Sequence, residues 1–309
     1  MNKVLFIFNK GNAIGGVWNV NQLIANKLLD DNYEIIYLAI REYDKNIAPC
    51  CDKRIKYYTT NPNTKWETAR GSKIIESLKK GQLLQAIKDY KFYKKDKRAL
   101  LRDFKKTKKI ITAINPNYII TSHYEQLDAI PNSYLKKTIN LNHVVFEKVL
   151  EIKNWIKTYN KYRDKLAKFV WLSKETNKRA KEYGIKNSVC IYNAVRFETR
   201  EISDVIHNKK LVSICRLSKE KRIELMLEIA NEVLNKNKEW EFELYGEGEI
   251  LEKGKKLIEN NSRIKICGLT NNPEKVLLSS SINLNTSLFE GFSLSILEAN
   301  ECRCSYYYL

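Results

Sequence analysis

The chain has 309 residues, 43% of them hydrophobic and 29% charged, with five prolines. That length suits two domains of about 150 residues, and the composition is that of a globular chain, which excludes a disordered one. Lys and Arg outnumber Asp and Glu by 55 to 36, a formal charge of +19 that favours anionic partners, and no apolar run approaches the ~18 residues of a membrane span.

"KVLFIF" (3–8) reads as a first buried strand. Its apolar run is too short for the core of a signal peptide and passes straight into a glycine turn. In that turn, "NKGNAIGGVWN", Gly11, Gly15 and Gly16 would let backbone approach a ligand, and the N-terminus of the helix over 18–31 could receive negative charge. A plain strand-to-helix turn needs the same glycines. The stretch is neither G-x-G-x-x-G nor a P-loop, which argues against a dinucleotide oxidoreductase. Strands follow at 34–40 and 54–60.

Residues 61–110 then hold sixteen Lys/Arg against five Asp/Glu, most densely in "YKFYKKDKRALLRDFKKTKKI". Ile74, Ile75, Leu78, Leu83, Leu84, Ile87, Tyr90, Tyr93, Leu100, Leu101 and Phe104 recur at roughly helical spacing. This pattern predicts one or two amphipathic helices within 70–110 with cationic outer faces. Such a face is either simply solvated or rests on anionic lipid. No zinc finger, RNP-like strand or recognition helix accompanies it, so nucleic acid is not an expected partner.

Further strands are predicted at 118–122, 137–143, 168–173 and 188–193. Strands alternating with helices indicate a parallel sheet covered on both faces. A polar stretch without a long period (193–210) separates a second series. It comprises strand 211–216, helix 219–236, strand 241–246, helix 250–259, strand 263–268, helix 272–279, strand 282–287 and a helix from about 293. The expected architecture is two tandem α/β domains, 1–195 and 196–309, whose carboxyl-end loops face a shared cleft.

The seven cysteines, at 50, 51, 190, 215, 267, 302 and 304, lack zinc-site spacing, and only three histidines accompany them. Reduced cytosolic thiols are the reading, and no metal site is expected. His123 and His143 follow strands at carboxyl ends, positions that suit a site, a cap or a polar core residue alike. His207, in the polar linker, reads as surface.

In the second domain, Arg216 and Lys221 of "RLSKEK" would set two cations beside a helix N-terminus, an arrangement suited to a diphosphate. Gly246 of "YGEGE" and the "CGL" turn bring backbone to the same rim. In "LFEGFSLSILEA" (288–299), Glu290 precedes a tight turn at Gly291. Free amides at Phe292, Ser293 and Leu294 would face a phosphate, and Glu298 could accept from vicinal hydroxyls. The two carboxylates could instead be a glycosidase acid and base, or a helix-start Glu with a solvent-facing one.

Taken together, the "GG" loop, "SH", "NH", "FVWLSKET", "CIYNAV", "SICRLSKEKR", "LYGEGE" and "TSLFEGFSLSILEAN" resemble, in order and rough spacing, the retaining GT-B glycosyltransferases of family four (glycosyl transferases group 1). The resemblance implies two Rossmann-like domains, the first binding acceptor and the second binding a nucleotide-sugar, with UDP favoured over GDP and no metal. It implies that Arg216 and Lys221 neutralise the diphosphate, Glu290 holds the sugar, Glu298 binds ribose and Gly15 and Gly16 approach the ligand. His123 matches the family's histidine better than His143. It implies a cytoplasmic enzyme of bacterial surface polysaccharide synthesis, peripheral on the inner membrane face, acting on a glycan or lipid-linked acceptor. Departures are Cys215 and Arg222 at glycine positions, Arg303 at another, and an end at Leu309 that implies an incomplete second domain. These departures keep a second reading open, a non-catalytic partner of a complete transferase.

Overall fold

The computed structural model describes residues 1–11, 15–41, 52–62, 64, 71–258 and 261–308. Cys50, Cys51, the middle of the first glycine loop (12–14), Lys65 and Arg70 of the basic stretch, and the end of the helix expected at 250–259 lie outside the described residues. The chain forms two compact units, Met1–Ile191 and Tyr192–Leu309. The boundary falls ahead of the expected 195/196 for a local reason. The Ile191 N–H donates to Trp171 O in the first sheet, whereas the Tyr192 ring packs on Phe292 at 5.3 Å.

In chain order the first unit contains β1 (Lys3–Lys10), α1 (Gly16–Asp30), β2 (Glu34–Arg41), β3 (Lys56–Asn61), α2 (Ser72–Lys79) and α3 (Leu83–Ile114). It continues with β4 (Tyr118–Thr121), β5 (Thr138–Asn142), α4 (Phe146–Glu151), α5 (Lys153–Tyr162), β6 (Lys168–Trp171), α6 (Lys174–Glu182) and β7 (Ser188–Cys190). Its strands form a parallel sheet in the order β3-β2-β1-β4-β5-β6-β7. The period of two along a strand sorts the apolar residues onto two faces. Leu5, Ile7, Ile36, Leu38 and Ile40 meet α3 and the later helices, whereas Val4, Phe6, Phe8, Ile35 and Tyr37 meet α1. On the α1 side, Trp18, Phe8 and Tyr37 pack ring to ring at 4.8–5.6 Å.

Helix α3 is 32 residues long, so the basic stretch forms one short helix and one long one. It is keyed to the sheet by a buried charge cluster. Arg41, 0% exposed, donates from Nε to Asp103 at 2.6 Å and from Nη1 to Asp96 at 2.5 Å. Burial works against this charge, but the hydrogen bonds to both aspartates outweigh it and raise the pKa. Asn61 Nδ2 also donates to Asp103, and the Thr60 and Thr107 hydroxyls bond at 2.9 Å. Only part of the expected apolar stripe lies inward. Leu100 and Phe104 are buried, while Ile75, Leu78, Leu83, Leu84, Ile87, Tyr90 and Leu101 are exposed.

The second unit contains β8 (Lys210–Ile214), α7 (Ile223–Lys236), β9 (Glu241–Tyr245), α8 (Leu251–Leu257), β10 (Ile264–Gly268), α9 (Pro273–Leu278), β11 (Ile282–Asn285), α10 (Leu294–Glu301) and β12 (Ser305–Tyr308). The parallel sheet runs β10-β9-β8-β11-β12. The helix predicted over 219–236 is broken. A 3-10 turn spans Lys219–Lys221, and Arg222 takes a left-handed φ of 48° before α7 starts. Arg303, the other arginine at an expected glycine position, also has a left-handed φ of 51°. Both keep a backbone shape that glycine adopts without strain.

Because a left-handed non-glycine residue costs roughly 1–2 kcal/mol and Arg303 is exposed, Arg303→Gly is expected to stabilise the chain by about 1 kcal/mol. Urea denaturation would measure the change.

Candidate functional site

In each sheet the strand order reverses beside the first strand, between β1 and β4 and between β8 and β11. Loops leaving the carboxyl ends at such a switch point diverge, and that is where open α/β sheets bind ligands.

In the second unit the loops after β8 and β11 are stitched together. Lys221 Nζ donates to Glu290 Oε1, and the Ser287 hydroxyl donates to the same oxygen at 2.8 Å. Arg222 Nε donates to Thr286 O, the Thr286 hydroxyl to Lys221 O, and Leu288 N–H to Glu220 O, at 2.8, 2.8 and 2.9 Å. The Lys221 and Glu290 side chains are 18% and 20% exposed, so a ligand can reach the pair. Arg216 is 71% exposed and only 3.9 Å from Glu220. Its side chain stands largely in solvent just after β8. Burial pushes the Cys215 thiol above its usual pKa, with Lys221 and Glu290 near enough to act on it electrostatically.

The turn at Gly246 is packed tightly against the end of the neighbouring strand β8. At φ 150°, a Cβ on Gly246 would lie 1.8 Å from Cys215 O, and one on Gly248 would lie 2.2 Å from Leu217 O. The turn after β9 therefore presses its backbone on the strand end that carries Cys215 and Arg216. Gly291, Phe292 and Ser293 lead into α10, whose first residue is Leu294 and whose N-cap, Ser293, makes no side-chain capping bond. Phe292 O accepts from Asn193 Nδ2 at 3.2 Å.

Glu298 is buried, which corrects the alternative of a solvent-facing glutamate. Its side chain is 1% exposed, and Arg196 holds both carboxylate oxygens, Nε on Oε1 and Nη2 on Oε2, the latter at 2.7 Å. Sequence reasoning missed Arg196, Ser287 and Thr286. The first lies in "NAVR", inside the polar stretch 193–210, where local composition gives no sign of a buried partner.

In the first unit, Gly15 (φ 133°, ψ 174°) caps α1 without a side-chain bond, and Gly16 begins the helix. The backbone at Gly15 is one that glycine alone adopts readily. Asn21 on α1 donates to the Ser122 hydroxyl at 2.9 Å, tying the helix to the end of β4. The two histidines differ. His123 is 34% exposed and acts as a cap, with Nδ1 accepting from Glu125 N–H and its ring against Tyr124 and Trp155. His143 Nε2 is closed to solvent and has no hydrogen-bond partner among the described residues. His207 is exposed and paired with Asp204. Among the described residues no cluster of His, Cys, Asp or Glu could hold a metal ion. The five described cysteines are free, and burial pushes the Cys302 and Cys304 thiols up to about 11 and about 12.

Burial drives the His143 pKa from 6.5 down to about 4. The unfolded chain therefore binds the proton more readily, and stability held above pH 6.5 is lost as pH falls through 4. The expected loss is about 3 kcal/mol. Chemical denaturation between pH 7 and 4 should show this slope in the wild type and a shallower one in His143→Gln.

Residues 208–305 match the protein family described as Glycosyl transferases group 1. A poly(ribitol-phosphate) α-N-acetylglucosaminyltransferase of Staphylococcus aureus (strain COL) is 36% identical over 121 residues, 38% of this chain. The match spans 23% of that relative's length. The crystal structure of an S. aureus TarM mutant in complex with fondaparinux, α-GlcNAc-glycerol and UDP superposes with a TM-score of 0.74 at 14% identity. It covers 100% of this chain and 86% of that one. Anabaena HepE in complex with UDP and glucose gives 0.66 at 14% identity, over 100% of this chain and 80% of that one. At such identities the likeness shows the fold. The second unit is thus similar to the glycosyl transferases group 1 domain over residues 208–305, and the two Rossmann-like units have the fold of the GT-B glycosyltransferases.

Proposed function

We propose that this chain is a retaining glycosyltransferase that moves a sugar from a nucleotide-sugar donor, UDP-linked in preference to GDP-linked, to a glycan or lipid-linked acceptor of a bacterial surface polysaccharide. The observation that carries the reading is the Lys221–Glu290–Ser287 cluster at the switch point of the second sheet. An ammonium has three N–H donors, so Lys221 can keep Glu290 and still donate to phosphate oxygens. The α10 N-terminus after Gly291 adds amides that favour negative charge. Glu290 would orient the donor sugar, and Arg216 would swing from solvent to the diphosphate.

On this reading the bond from the anomeric carbon to phosphate breaks as the acceptor oxygen bonds to that carbon on the same face. The acceptor's proton passes to the leaving phosphate. Lys221 and Arg216 stabilise the charge that develops on the diphosphate, the kind of term that often dominates such catalysis. The first unit would take the acceptor, with His123, Gly15 and Gly16 at its switch point. The relative named for transfer of α-N-acetylglucosamine to poly(ribitol-phosphate) supports a cell-wall polymer as the acceptor class.

The reading also places the chain on the cytoplasmic face of the membrane. No described helix is long and apolar enough to cross a bilayer, but α3 presents Lys91, Lys94, Lys95, Arg98 and Arg102 around a furrow of about 390 Å³. Exposed Leu83 and Leu84 sit at its start. Cations beside exposed apolar side chains suit an anionic bilayer. One observation favours the non-catalytic alternative, the strained Arg222 at the phosphate loop.

Calorimetric titration should show UDP binding weakened by roughly tenfold or more in Lys221→Met, the loss of one charge-assisted hydrogen bond. Binding unaffected by Lys221→Met would count against the donor site. Product analysis with UDP-sugar and a polyol-phosphate acceptor then separates a transferase from a partner that binds without turnover. For the membrane face, Lys94→Glu with Arg98→Glu should abolish sedimentation with phosphatidylglycerol vesicles. The wild type should be released by salt and should ignore phosphatidylcholine.

A further inference from the structure

Glu298 is closed to solvent, and both of its carboxylate oxygens are held by one arginine. The Arg196 guanidinium spans both carboxylate oxygens and is itself 27% exposed, so it forms the outer layer of the pair. Arg196 belongs to a strap that lies along α10 and the turn before it. The Tyr192 ring rests on Phe292 at 5.3 Å, and Asn193 Nδ2 donates to Phe292 O at 3.2 Å. Thr199 N–H donates to Glu301 Oε1 at 3.2 Å, and Ser203 N–H to Cys302 O at 2.9 Å. Every one of these bonds is made from the segment that follows the first unit.

A carboxylate that is to hold two vicinal hydroxyls must present both oxygens to them. A two-pronged guanidinium matches the same pair of oxygens, and a diol and an arginine make the same demand on one group. Resting on the nucleotide-sugar reading above, we propose that Arg196 is a positioning residue that withholds Glu298 from a ribose diol. The guanidinium and the diol compete for the carboxylate, and the nucleotide binds fully only as Arg196 moves off it. Two consequences follow. The measured affinity for a nucleotide with an intact diol is lowered by the fraction of chains in which Glu298 is released. Donor binding is also coupled to the strap that joins the two units, since the ligand favours one of its arrangements.

The test uses the full chain with UDP and 2′,3′-dideoxy-UDP, which lacks the diol. Arg196→Gln is expected to bind UDP tighter by roughly three- to tenfold while its affinity for the dideoxy nucleotide stays unchanged. In the wild type, the Arg196 Nε–H resonance, assigned by its loss in Arg196→Lys, should shift on saturation with UDP but not with dideoxy-UDP. A merely structural strap would instead weaken both nucleotides in parallel. That result, or weaker UDP binding alone, overturns the proposal. If Arg196→Gln fails to fold, the wild-type resonance still decides, and an unmoved signal at saturating UDP rejects it. Failure of the underlying reading looks different. A wild type that binds neither nucleotide, or binds both equally with Glu298→Gln neutral, removes the ribose site and the inference with it.

Discussion

The pairing of β8 with β11 is the constraint on which the second unit's candidate site depends. Both strands are parallel, so their carboxyl ends lie at one edge of the sheet, and the order β10-β9-β8-β11-β12 makes them neighbours. Residues 64 to 69 positions apart in the chain are then held by hydrogen bonds between two loops. The turn after β9 buttresses them through backbone contact that only glycine permits. A lysine in this setting is a pre-placed cation. It needs little reorganisation when negative charge develops nearby, which is the condition for effective electrostatic stabilisation.

The first unit depends on a different device. Arg41 at the end of β2 gathers Asp96 and Asp103 beneath α3. A buried arginine without its carboxylates would be strongly destabilising, so the helix has one allowed rotation about its axis. That rotation turns Asp96 and Asp103 inward, and the cations that surround them in sequence face outward. The basic surface is therefore a consequence of core electrostatics as well as of composition.

Several features were legible because they are local. The continuous apolar runs "KVLFIF" and "EIIYLAI" announce strands buried on both faces, and the glycine turns mark where strands end. The order of the arginine–lysine, glycine-turn and glutamate segments carries the resemblance. Other features were illegible because they are long-range. Nothing near Glu298 in sequence indicates that an arginine 102 positions away would hold both its oxygens. Nor does the spacing of Asp96 and Asp103 distinguish a solvated pair from one buried on Arg41. The apolar residues from Ile75 to Ile87 have helical spacing, yet Ile75, Leu78, Leu83, Leu84 and Ile87 are exposed among the described residues, and periodicity alone does not distinguish these outcomes.

The sequence by itself determined the two α/β units, the parallel sense of their sheets and the residue types available at each strand end. These follow from short-range periodicity and from the geometry of glycine, which a few neighbouring residues specify. Tertiary structure alone decided that Lys221 meets Glu290, that Arg216 is exposed, that the turn at Gly246 presses on Cys215 O and that Arg196 holds both oxygens of Glu298. Those outcomes depend on which strands are adjacent and on which side chains compete for the same buried acceptor, and both are settled only when distant segments are brought into contact.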